Sequence, residues 1–116
     1  MTTRLDIHVG GSFADSRKRI LAAVERARRG DVPGEEHVTF ASWEALAAVM
    51  TTRRFEVLRH LRRRPERSIA ALARSLGRDY KRVHEDVEAL VAAGLIDRDA
   101  TGLHADYDEI HTSIAL

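Results

Sequence analysis

Between positions 78 and 85 the chain sets Arg78, Tyr80, Lys81, Arg82, His84 and Glu85 around one apolar residue, Val83. These side chains offer chemistry suited to a nucleic-acid duplex. Cations neutralise phosphate and supply affinity, whereas hydrogen bonds at base edges supply sequence choice. Lys81 and Arg82 are the expected groove contacts, since an arginine can make the bidentate pair to guanine. Tyr80 and His84 can touch a base or phosphate, or pack across their own helix. Glu85 can accept from cytosine or remain solvated, and Arg78 is expected on phosphate. Ser68 and Arg74 are secondary phosphate candidates, and Arg98 is a single cation further along.

A short helix, a glycine turn and a longer helix must position them. Ser68 can cap the first helix, and Ile69, Leu72, Ala73 and Leu76 recur at helical spacing to give it an apolar face. Gly77 falls where the turn needs positive φ. Asp79 can cap the second helix, with Val83, Val87, Leu90 and Val91 inward, and Gly94 ends it. Two helices over a tight turn form a helix-turn-helix arrangement, whose second helix enters the major groove. Two short extended runs, Leu95 to Arg98 and Leu103 to Asp106, flank a turn with Gly102 and predict a β-hairpin.

Charge distribution points the same way. The 116 residues carry a net charge of +1. Residues 1–52 hold seven basic and seven acidic side chains, residues 53–82 hold eleven and three, and residues 83–116 hold one and eight. A concentrated basic block in a near-neutral chain is an electrostatic footprint for phosphate, or else a solvated arginine-rich face. The chain has no cysteine, so disulfides and thiolate metal sites are excluded. No apolar run reaches the length of a membrane span, and the first residues lack a secretory segment, so a cytoplasmic protein is expected. The histidines are scattered without a Ser/His/Asp spacing or a His-Glu-x-x-His pattern. No enzyme activity and no cofactor are expected. His104, Asp106 and Asp108 share a strand face, a hard-metal pattern that a polar hairpin explains equally well.

The rest of the chain reads as support. Residues 4–9 alternate as a strand with Leu5, Ile7 and Val9 on one face, and His37 to Ala41 is a second strand. Residues 13–29 between them read as a basic helix with Ile20, Leu21, Val24 and Ala27 as its apolar stripe, followed by a loop at 30–34. Ser42 can cap a helix carrying Trp43, Leu46, Ala47 and Met50 on its inner face. Thr51 or Thr52 can cap a helix over 53–64 with Phe55, Leu58 and Leu61 inward, closed by Pro65. Residues 109–116 alternate as a last strand, a partner for the N-terminal one. The division expected is a strand–helix–strand extension over 1–41, for packing or dimerisation, and a DNA-binding domain over 42–116.

The runs Ser68-Ile69-Ala70-Ala71-Leu72-Ala73 and Ala89-Leu90-Val91-Ala92-Ala93-Gly94-Leu95-Ile96 resemble the winged helix-turn-helix transcriptional regulators of the MarR and ArsR type. Residues 78–87 are similar to a MarR-like subgroup often encoded beside a toxin gene. The resemblance implies an α+β winged helix-turn-helix fold and a homodimer on double-stranded DNA. It further implies repression at a promoter and an antitoxin-like role with a cognate toxin as partner. The alternative is a protein-interaction module whose winged helix no longer reads DNA. Family wings often carry a basic tip, but here Asp97 and Asp99 flank Arg98, so the hairpin is expected to contribute little.

Overall fold

The computed structural model describes residues 3–11, 17, 18, 21, 22, 24, 25 and 35–116. It is a mixed α and β chain in two compact units, one of residues 1–46 with 107–116, the other of residues 47–106. The C-terminal strand therefore leaves the expected 42–116 segment and joins the N-terminal unit. No helix among the described residues is long and apolar enough to cross a membrane.

The first unit is built on a three-stranded parallel sheet of β1 (Arg4–Val9), β2 (Glu35–Phe40) and β5 (Glu109–Ile114) in the order β2-β1-β5. Alternation in β1 explains its central place, since Leu5, Ile7 and Val9 are buried while Arg4, Asp6 and His8 face the other way. The ladder carries on past the strands, with the Gly10 amide donating to the Phe40 carbonyl and the Ala115 amide to that of Val9. The expected pairing of the last strand with the first is thus present, and its sense is parallel. Ile114 on β5 is nevertheless exposed. The described residues of the expected 13–29 helix are helical, but Leu21 and Val24 of its apolar stripe are exposed. Ile20, Ala27 and the 30–34 loop lie outside the described residues. Helix α1 (Trp43–Val49) starts where the Ser42 hydroxyl accepts from the Ala45 amide.

The second unit holds α2 (Thr52–Arg63), α3 (Ile69–Leu76), α4 (Tyr80–Ala92) and the antiparallel hairpin β3 (Asp97–Asp99) and β4 (Gly102–His104). Capping sets three helix starts in this unit. Thr51, not Thr52, caps α2 by accepting from the Arg54 amide, Ser68 caps α3 from Ala71, and Asp79 caps α4 from Arg82. Gly77, at φ 64°, ends α3 with the Arg78 amide turned back to the Ala73 carbonyl. Leu61, Leu72, Leu90, Leu95 and Leu103 are fully buried with Val57, Val83 and Val87. Each such leucine contributes about 2 kcal/mol by leaving water. Glu66 knits the elements together. Its main chain exchanges hydrogen bonds with Leu103 at 3.1 and 2.7 Å, and its carboxylate lies 2.9 Å from His60 Nε2 while accepting from the Ser75 hydroxyl at 2.8 Å. The His60 bond holds the Glu66 carboxyl below its usual range against the opposing effect of burial.

Three expected core positions are corrected. Trp43 is 55% exposed and Ala47 is exposed too, because α1 buries only Leu46. Phe55 is 45% exposed, and Val57 takes the inward place beside Leu58 and Leu61. A stripe centred on Val57, Leu58 and Leu61 turns Phe55 to the side of the helix, where the Arg59 guanidinium stands 5.9 Å from its ring centre.

Candidate nucleic-acid interface

Burial of Val83, Val87 and Leu90 leaves the opposite side of α4 to solvent, and its first turn presents Tyr80, Lys81 and Arg82 there. The Tyr80 and His84 rings tilt against one another, centres 5.9 Å apart, and His84 Nε2 stands 3.8 Å from Glu88. Glu85 is exposed. Arg74 projects from the last turn of α3, also exposed. A groove of about 350 Å³ runs between the start of α3, α4 and the hairpin, bringing Ser68, Tyr80, His84 and Arg98 together with Arg67. Arg74, Arg78, Lys81, Arg82 and Glu85 do not line it.

Ion pairing divides the cations into two groups. Asp86 accepts from Arg54 Nε at 3.1 Å and from Arg78 Nη2 at 2.8 Å, so both guanidiniums are spent inside the unit. Arg78, expected on phosphate, is corrected to this internal role, with only 15% of its side chain exposed. Arg98 is tied to Glu88 on α4 at 3.0 Å. Among the described residues, no ion pair or hydrogen bond engages the side chains of Arg67, Arg74, Lys81 or Arg82. Sequence reasoning missed Arg67. Its place directly before the cap Ser68, ahead of the first amides of α3, was the available signal.

The hairpin has its own electrostatics. His104 is held between Asp99, 2.7 Å from Nε2, and Asp106, 2.6 Å from Nδ1, with Asp97 at 4.0 Å. The Thr101 hydroxyl, then His104, hold the Asp99 carboxyl far below its ordinary range. The Asp99 bond, then that to Asp106, raises the His104 imidazole above its ordinary value. Such a histidine contributes stability that is complete below its unfolded pKa and lost as pH rises through the folded one. Denaturant unfolding at increasing pH is expected to show this loss above the ordinary histidine range, and His104→Gln is expected to remove the step. The carboxylates around His104 among the described residues are Asp97, Asp99 and Asp106, whereas Asp108 of the expected grouping accepts from the Thr3 amide.

The molecule thus has a mixed helix-and-strand unit in which Arg67, Arg74, Lys81 and Arg82 stand unpaired at the ends of α3 and α4. It belongs to the HVO_A0114 family, which matches residues 49–112. No curated protein and no solved structure matches the chain.

Proposed function

We propose that residues 47–106 form a winged helix-turn-helix that binds duplex DNA, with α3 and α4 as the helix pair and β3–β4 as the wing. The chain then acts as a sequence-specific transcriptional regulator, a cytoplasmic homodimer that represses by occupying a promoter. The unpaired cations carry this reading. Lys81 and Arg82 open the exposed face of α4, where a recognition helix meets base edges, and Arg67 and Arg74 flank them at phosphate positions. Tyr80, His84 and Ser68 border the same face, whereas Arg78 supports α4 from within. Arg98 is neutralised by Glu88 and the hairpin is acidic, so the wing adds little affinity. The resemblance to regulators encoded beside toxins extends the reading to an antitoxin-like autoregulator. The exposed acidic hairpin favours one rival, an interaction module that does not read DNA.

Two substitutions separate base reading from phosphate contact. Arg82→Ala is expected to relax preference at one base position by about 1–3 kcal/mol. Arg67→Ala is expected to weaken all sequences alike and lower the salt dependence by about one phosphate. Fluorescence anisotropy against matched and randomised duplexes at several salt concentrations reads both. Equal effects of the two changes on matched and random DNA would contradict this placement of the reading face.

A further inference from the structure

The parallel sheet of the first unit is not covered equally across its width. Leu5, Ile7 and Val9 of β1 share one face with Val38 and Phe40 of β2 and with Ile110, Thr112 and Ile114 of β5. The β1 side chains and Phe40 are buried, whereas Ile110 is half-buried and Ile114 is 49% exposed. Cover therefore runs out over β5, an edge strand of six residues of which five are exposed. The main chain of that edge is open as well. Neighbouring parallel strands engage alternate residues, and the Ala115 amide donates to the Val9 carbonyl, so residues 109, 111, 113 and 115 face β1. Ile110, Thr112 and Ile114 turn their amides and carbonyls away from the sheet, and among the described residues nothing receives them.

We propose that this edge pairs antiparallel with β5 of a second copy of the chain, about a two-fold axis at Thr112. Such an axis sets Ile110 of one copy opposite Ile114 of the other, Thr112 opposite itself, His111 opposite Ser113 and Glu109 opposite Ala115. The outward-turned residues Ile110, Thr112 and Ile114 are then the ones that exchange main-chain hydrogen bonds with the other copy. On the apolar face the half-buried isoleucine meets the exposed one, so each copy covers what the other leaves open. Cross-strand pairs of β-branched residues and of threonines stabilise an antiparallel ladder. Charge agrees with this register, because neither Glu109 nor His111 faces a like charge across the axis. Glu109, the one acidic residue of β5, stands at its first position, away from the axis. From Glu109 to Leu116 there is no lysine, arginine or proline, the residues that keep natural sheet edges from pairing. The opposite edge is different, since β2 begins with Glu35 and Glu36 and its Phe40 is already buried. The same strand used by both copies makes the contact isologous, and it closes at two chains. This deepens the homodimer of the proposed regulator by naming its surface, while the edge and its complement stand independently of DNA.

The test is sedimentation equilibrium of the full chain without DNA, so that a failure of pairing is distinct from a failure of DNA reading. A dimer is expected. Thr112→Pro, which removes the amide on the axis, and Ile114→Lys are each expected to weaken dimerisation at least tenfold, with circular dichroism as the folding control. If either variant fails to fold, crosslinking decides. The chain has no cysteine, so Thr112→Cys introduces a single thiol. The axis places that thiol against its own copy with the main chains about 5.5 Å apart, within disulfide reach. Thr112→Cys is expected to form an interchain disulfide on mild oxidation, whereas Thr39→Cys, on the β2 edge, is expected to stay uncrosslinked. A monomeric unaltered chain, a dimer indifferent to Thr112→Pro and Ile114→Lys, or crosslinking of Thr39→Cys and not of Thr112→Cys overturns the proposal.

Discussion

Replacing Gly102 with alanine is expected to lower the unfolding free energy by about 4 kcal/mol or more, the range reserved for changes that break a specific feature of a fold. Gly102 sits at φ +124°, where a side chain is strained. A methyl group there would overlap the Glu66 carbonyl oxygen and stand 2.8 Å from the Arg67 Cα. These are main-chain atoms with no flexible end to yield. The close approach exists because Glu66 and Leu103 exchange two main-chain hydrogen bonds. Backing the hairpin away would break both and drag the Glu66 carboxylate from His60 and Ser75. Gly77→Ala is the matched control. Gly77 also has positive φ, but a methyl there meets nothing within 4 Å, so only the left-handed backbone penalty of about 1–2 kcal/mol applies. Urea denaturation of the two variants distinguishes contact from backbone strain. Equal losses would mean that the Glu66–Leu103 approach is not what Gly102 serves.

Asp86→Ala is expected to destabilise by about 3 kcal/mol and to weaken duplex binding, although it raises the net charge. The Asp86 side chain, 13% exposed, receives both Arg54 and Arg78. Arg78 keeps a buried Nη1 with no hydrogen-bond partner, so it already bears a desolvation cost that Asp86 offsets. Arg54 also donates to the Ala48 and Val49 carbonyls at the end of α1, and through Asp86 it ties that end and α2 to α4. Truncating the carboxylate leaves two guanidiniums uncompensated and frees the start of α4 to shift. Thermal melts of Asp86→Ala, Arg78→Met and the double variant give the coupling energy. Unchanged stability with tighter duplex binding would show Asp86 to be only a nearby anion.

Local chemistry made much of this fold legible in the sequence. Ser68, Gly77, Asp79 and Gly94 bound their helices where the capping and turn rules place them. The alternation of residues 4–9 gave the buried face of β1 directly. What escaped was set by tertiary contact. Phe55 matched an i, i+3 spacing with Leu58 and Leu61, but the phase of α2 is fixed by everything packed against it, and that choice falls on Val57. Trp43 lies on the apolar spacing of its helix, but that seven-residue helix buries only Leu46. The engagement of Arg78 could not be read locally, since its partner lies eight positions away and is shared with Arg54 from another helix. At the candidate interface, the spacing identified the exposed first turn of α4, but not which arginines are spent in ion pairs.

Selection from a random duplex library by the purified protein, with sequencing of the retained molecules, tests the DNA-reading proposal most directly. Sequence-specific reading by a homodimer predicts an enriched motif with two-fold symmetry, its half-sites about one helical turn apart. It further predicts that Arg82→Ala blurs the motif at one position in each half. Retention without enrichment, abolished by salt alone, would contradict sequence reading and leave the exposed acidic hairpin as the surface to pursue for a protein partner.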